Sequence, residues 1–258
     1  VDDAVAIFVA LAAPEVDLLG LTTVGGNVPL ARSTRNALAL LQAAGRSDIP
    51  VAKGASRPLR GRFRYAPQFH GPGGLSRRLP EPTVRPVADG AVRFLNDRLP
   101  RQPGKVILVA LGPLTNIARL LWEYPAALEQ AKNIVVMGGA VNTPGNVTPK
   151  AEFNFYSDPL AAREVLSSDV PVTLVDLRVC RQASIGRDGL APLYKGGKVG
   201  KLAGRILTNW FRLNPDKESY DLCDPLAMAV AMEPVILTTQ RSKVEVETSA
   251  AERMGETT

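Results

Sequence analysis

Apolar positions in this chain fall into short blocks whose spacing alternates between the period of a helix and that of a buried strand. Val5-Ala6-Ile7-Phe8-Val9-Ala10-Leu11 follows two carboxylates, Asp2 and Asp3, and reads as a buried helix over residues 3–12 that ends before Pro14. Residues 16–24 read as a strand broken by Gly25-Gly26. Leu30, Thr34, Ala37, Leu38 and Leu41 share one face of a helix over 30–44, with Gly45 as its stop. A short strand is expected at 49–52, then helix at 88–99, strand at 105–111 and helix at 115–122. The rest reads as strand 133–137, helix 158–166, strand 170–175, helices 202–213 and 225–232, and a last strand at 243–247.

Continuous Val/Ile/Leu strands separated by helices predict an α/β fold: one open, mostly parallel, Rossmann-like sheet covered by helices on both faces. No repeat or linker divides the 258 residues, so a single domain over 1–258 is expected. Residues 54–86, rich in Pro, Gly and Arg, predict one long loop.

Charge changes the picture little. The net charge of +6 owes much to arginines between positions 57 and 101, and no nucleic-acid-binding signature accompanies them. A solvated loop is the expectation, with no nucleic-acid partner; a basic nucleic-acid-binding domain is the distant alternative. No apolar run approaches the ~18 residues of a membrane helix, so no membrane partner is expected. Two cysteines, Cys180 and Cys223, form no disulfide framework or CxxC motif, which points to a reducing, cytoplasmic compartment.

Ligands of parallel sheets bind beyond the carboxyl ends of the strands. Gly25-Gly26-Asn27, Leu111-Gly112-Pro113, Met137-Gly138-Gly139 and the segment from Asp176 all fall there. Each has a plain structural reading: Asn27 as a helix cap, Asp2 and Asp3 as charges on a helix start, and Asp224 as the cap before Pro225. Glu152 and Asn154 are two apart and would project from one side of an extended segment; with Asn146 they suit vicinal sugar hydroxyls. His70 is the sole histidine, and no GxSxG elbow supports a serine nucleophile. One His and two distant Cys make a poor zinc set, whereas carboxylates and carbonyls suit a hard cation such as Ca²⁺.

In this order, Asp2-Asp3-Ala4, Thr22 to Asn27, Thr34 to Ala37, His70-Gly71, Leu111 to Asn116, Met137 to Gly139, Ala151 to Asn154, Asp158-Pro159 and Asp224 to Ala227 resemble the inosine–uridine-preferring nucleoside hydrolase family over almost the whole chain. The resemblance implies Ca²⁺-dependent hydrolysis of the N-glycosidic bond of ribonucleosides by water attack at C1′, and a homo-oligomer, dimer or tetramer. By resemblance Asp3, Asp224 and the Leu111 carbonyl hold the ion, with Asp3 and Asp224 counted as catalytic. Asp2, Asn27, Asn146, Glu152 and Asn154 hold the ribose, Met137 lines the sugar pocket, and His70, Tyr220 and Phe155 lie toward the base.

Two departures qualify that reading. The family's N-terminal motif is approximately DxDPGxDDA, and only its last three residues are numbered here, so a further Ca²⁺ ligand and general base are expected upstream. The chain also stops soon after 243–247, so both ends look clipped. Cys223 stands where many members have a His that assists the leaving base, which makes position 223 a candidate leaving-group region. The alternative expectation is a catalytically impaired nucleoside- or ribose-binding relative.

Overall fold

A computed structural model describes residues 1–71, 73–249 and 251–258. Helix α1 (Asp2–Ala12) leads to strand β1 (Leu21–Thr23), helix α2 (Leu30–Ala44) and strand β2 (Val51–Lys53). After helix α3 (Pro67–His70) come α4 (Ala91–Arg98), strand β3 (Ile107–Ala110), helices α5 (Thr115–Glu123) and α6 (Pro125–Leu128), and strand β4 (Asn133–Met137). Helices α7 (Phe153–Ser157) and α8 (Pro159–Leu166) precede strand β5 (Val172–Val175) and helix α9 (Leu177–Cys180). The chain continues through strand β6 (Ser184–Gly186), helix α10 (Gly197–Leu213), strand β7 (Ser219–Asp221) and helix α11 (Cys223–Met232).

The parallel strands form two groups, β1 with β2 and β3-β4-β5, while β6 and β7 make an antiparallel pair. The expected continuous sheet is therefore divided between β1 and β3. Strand β4 shows why its sequence is apolar without alternation. Ile134 and Val136 join the core with Leu120, Leu128 and Val165, and Val135 and Met137 join the core with Ala227 and Val230. Successive side chains point to opposite faces, and helices cover both. Each such residue contributes roughly 1.5–3 kcal/mol by leaving water.

Three expected elements differ. Residues 16–20 approach β1 without a ladder, so the strand is short. Residues 243–247 form no strand; Val246 makes a lone bridge to Thr257, flanked by backbone bonds from Glu245 and Glu247 to Thr258 and Glu256. The 54–86 loop contains α3 and buries Phe63, Leu75 and Leu79, so it is packed while Arg57, Arg60, Arg62, Arg64, Arg77 and Arg78 stay exposed.

Candidate active site at the carboxyl ends of the strands

Helix α1 begins after Val1, which serves as its N-cap, and no side chain caps its first turn. Asp2 and Asp3 sit in that turn with carboxylates unused by the helix. Helix α11 begins at Cys223, again without a side-chain cap, so Asp224 is not the cap its Asp-Pro sequence suggests. Freed from capping, Asp2, Asp3 and Asp224 bring one carboxylate oxygen each within 4.8 Å of one another.

Burial, reinforced by the charges of Asp2 and Asp3, pushes the Asp224 carboxyl well above its ordinary range. Asp3 is pushed up to about 6, by burial first, with the Val1 amino group pulling the other way. Its side chain retains surface toward a cavity of about 690 Å³ that it lines with Asn27, Leu111 and Asn154. Like charges this close favour a counter-cation, and three carboxylates are hard oxygen donors suited to Ca²⁺. The Leu111 carbonyl, just past the end of β3, belongs to a residue lining the same cavity as Asp3 and accepts from the Asn154 side-chain amide at 3.3 Å.

Asn154 is the organising residue of the sugar side. Its Nδ2 donates to the Met137 carbonyl at 3.1 Å and touches Met137 Sδ at 3.4 Å, so the ends of β3 and β4 meet on one amide. Glu152 and Asn154 do not lie along an extended segment, as their spacing suggests. Glu152 is the N-cap of α7: its Oε1 accepts the Asn154 N–H at 2.8 Å, and its Oε2 accepts the Phe155 and Gly139 N–H groups, both at 3.1 Å. Burial raises the Glu152 carboxyl to about 7 against these backbone bonds.

Other expected residues sort cleanly. Asn27 is not a cap, since α2 begins after Pro29; its carbonyl instead accepts the Ala66 N–H at 3.0 Å, and the residue lines the cavity. Asn146 is exposed on the 141–150 loop and, like Asp2, Met137, Glu152 and Asp224, is not among the residues that line this cavity. Phe155 is fully buried in the main core and cannot meet a base. His70 is buried, 3.3 Å from the Val1 nitrogen, and burial holds its ring down to about 3, hence neutral. The Cys223 thiol is pushed up by its hydrogen bond to Cys180 and by burial, so it keeps its proton.

Sequence reasoning assigned no role to Asn116, Asp158, Phe69 or Trp210. Asn116 donates to Thr23 O and accepts from Ala55 N, at 3.0 and 2.9 Å, fastening the end of β1 to the loop that follows β2. Phe69 packs edge-on to His70 and Trp210, and Trp210 crosses Tyr220 at 4.5 Å between centroids. The Tyr220 hydroxyl is buried beside the Asp2 carboxylate, and burial first, then the charges of Asp2 and Asp224, hold it well above its ordinary pKa. The resemblance places Tyr220 toward the base, and its ring is buried against Trp210.

The family model described as inosine-uridine preferring nucleoside hydrolase matches residues 1–258. The chain belongs to that family. As a member it is a nucleoside hydrolase, an N-glycosidase. This nucleoside hydrolase is 38% identical to uridine nucleosidase 1 of Arabidopsis thaliana, over 96% of its own length and 76% of that protein's. It is 38% identical to the non-specific ribonucleoside hydrolase RihC of Klebsiella pneumoniae, covering all of this chain and 84% of that one. Among solved structures it resembles a plant nucleoside hydrolase, PpNRh1, at a TM-score of 0.90 and 34% identity, over 99% of this chain and 82% of that chain. An inosine-guanosine nucleoside hydrolase is similar at a TM-score of 0.91 and 28% identity, over 100% and 83% of the two chains. Among the described residues, no helix is long and apolar enough to cross a membrane.

Proposed function

We propose that this nucleoside hydrolase cleaves the N-glycosidic bond of ribonucleosides by Ca²⁺-dependent attack of water at C1′. The observation that carries the reading is the convergence of Asp2, Asp3 and Asp224 within 4.8 Å, at the mouth where Asn154 joins the ends of β3 and β4. Asp3, Asp224 and the Leu111 carbonyl would hold the ion. When bound, Ca²⁺ supplies positive charge that orients the ribose diol and makes water a better acid.

The chain's own groups carry the remaining work. Asp3 would bind the ion as a carboxylate and help position the water beside it. Asp2, Asn27, Glu152 and Asn154 bracket the 2′- and 3′-hydroxyls. Departure of the base leaves positive character on the ribosyl ring, and fixed carboxylates and amide dipoles favour that charge over the ground state. Cys223, beside Asp224, retains its proton and is the candidate group on the leaving-base side.

The test is ribose release from inosine and from uridine by the full gene product, with and without a Ca²⁺ chelator, paired with calorimetric Ca²⁺ titration of Asp224→Ala. Release that stops with chelator and returns with added Ca²⁺, and an Asp224→Ala variant that loses ion binding and turnover together, are expected. Chelator-insensitive release, or nucleoside binding without any release, overturns the reading.

A further inference from the structure

The turn that follows β4 carries three consecutive backbone N–H groups, and each is taken by a different element. Gly138 donates to the Val175 carbonyl, at the end of β5, at 3.2 Å. Gly139 donates to Glu152 Oε2 at 3.1 Å. Ala140 donates to the side-chain hydroxyl of Thr257 at 2.8 Å, across 117 residues of sequence. Val175, Glu152 and Thr257 are all buried, so an N–H that lost its acceptor here would have no bulk water to turn to.

Thr257 reaches this turn because residues 255–257 are wedged between it and the start of α7. Thr257 bridges to Val246, and Glu256 bridges to Ala151, the residue before Glu152, both antiparallel. Gly255 lies so close to α7 that a Cβ on it would stand 2.7 Å from Tyr156 Cα, and its φ of +76° is one that glycine adopts without strain. The Thr257 methyl covers the turn as well: a Cβ on Gly139 would meet Thr257 Cγ2 at 3.5 Å. One short segment therefore contacts both pieces of chain that make the sugar side, the turn after Met137 and the capping turn of Glu152 and Asn154.

We propose that Thr257 is a positioning residue for ribose recognition: its hydroxyl fixes the turn against which Glu152 and Asn154 are set. The inference rests on the reading of Glu152 and Asn154 as ribose ligands. The connection between them and Thr257 is short. Ala140 follows Gly139, whose N–H occupies Glu152 Oε2, and the same turn begins at Met137, whose carbonyl accepts Asn154 Nδ2 at 3.1 Å. Without the Thr257 acceptor the Ala140 N–H is buried and unsatisfied, and the turn rotates to find another partner. That rotation carries the Gly139 N–H and the Met137 carbonyl with it, and Glu152 and Asn154 follow. The hydroxyl acts through Ala140 and needs no contact with the sugar.

The test compares Thr257→Val, which keeps the shape and removes the acceptor, with Thr257→Ser, which keeps the acceptor, in the full gene product. KM is expected to rise about 5- to 30-fold in Thr257→Val, by the same factor for inosine and uridine, with kcat within about threefold of the parent. Thr257→Ser should return KM to within about twofold of the parent. Hydrogen exchange with mass spectrometry gives a readout independent of turnover: amides of 138–140 should exchange at least about tenfold faster in Thr257→Val and not in Thr257→Ser. Thr257→Ala, smaller and also without an acceptor, is read by the same criteria, so a folding failure of the Val variant does not end the test. Unchanged KM, a rise for one nucleoside only, or a Ser variant as impaired as the Val variant overturns the role in ribose positioning while the proposed reaction stands. A parent that binds nucleoside without releasing ribose overturns the reaction instead, and the calorimetric Kd for nucleoside then replaces KM in the same comparison. A parent that does neither overturns both readings.

Discussion

Glu152 Oε2 accepts the backbone N–H of Gly139 at 3.1 Å, which clamps the turn after β4 to the N-cap of α7. The clamp is a buried carboxylate, and its charge state therefore matters to the fold. In the unfolded chain this group titrates near 4.5, and in the native chain near 7. A raised carboxyl gives stability that is full below pH about 4.5 and is lost as the pH climbs to about 7. Glu152→Gln removes that slope. The stability difference between the parent and this variant should shift against the parent by about 3 kcal/mol between pH 4.5 and 7.5, measured by urea unfolding at each pH. Parallel pH curves for the two proteins would falsify the assignment.

Asn154→Asp replaces the only donor shared by the Leu111 and Met137 carbonyls with an acceptor. Substrate binding should weaken about 10- to 100-fold, with little loss of global stability beyond about 2 kcal/mol. Steady-state kinetics on uridine and inosine, with thermal unfolding as the control, checks this. Unchanged KM would remove Asn154 from the sugar site.

Gly138 is required by closeness, not by backbone conformation. A Cβ there would lie 2.5 Å from Phe155 Cε1 and 2.7 Å from Cδ1. Because Phe155 is fully buried, the ring has nowhere to retreat. Gly138→Ala should cost about 1–3 kcal/mol in denaturant unfolding. Combining it with Phe155→Leu should recover part of that cost, and strictly additive effects would argue that the clash is relieved elsewhere.

Asp158 accepts from Leu59 N at 2.8 Å, Thr115 Oγ1 at 2.6 Å and Ala161 N at 3.2 Å, all from a buried position. Asp158→Ala strands three donors and should destabilise by about 2–4 kcal/mol. Exchange of amides in residues 57–66 should accelerate while Ca²⁺ binding persists. Loss of ion binding at a temperature where the variant is folded would show that the loop anchor also supports the cation site.

The fold class was legible because Ile134-Val135-Val136-Met137 and Ile107-Leu108-Val109-Ala110 are apolar on both faces, which only a doubly covered sheet satisfies. The carboxylate cluster was legible as motif, yet its local reading was not. Asp2, Asp3 and Asp224 look like helix caps, and whether a side chain caps depends on the backbone at Val1 and Leu222, which no local pattern records. Glu152 and Asn154 were paired for the wrong reason: a strand spacing became a capping turn because Glu152 takes three backbone donors. Asn146 shared their polar motif but lies on the exposed part of the loop, since Gly145 and Asn146 bond back to Pro149 and Ala151. The break between β1 and β3 could not be read at all, because the apolar pattern of a strand does not say which strand pairs with it.

Asp2 and Asp224 are far apart in sequence, and the proposed cation site would form only when both have arrived. Turnover in this protein is thus a report on completed folding, and a lysate assay for it counts native molecules rather than synthesised ones. The same wiring runs in reverse: an ion or ribose that grips both segments resists every route of unfolding at once, so ligand should slow global opening rather than quiet any single loop.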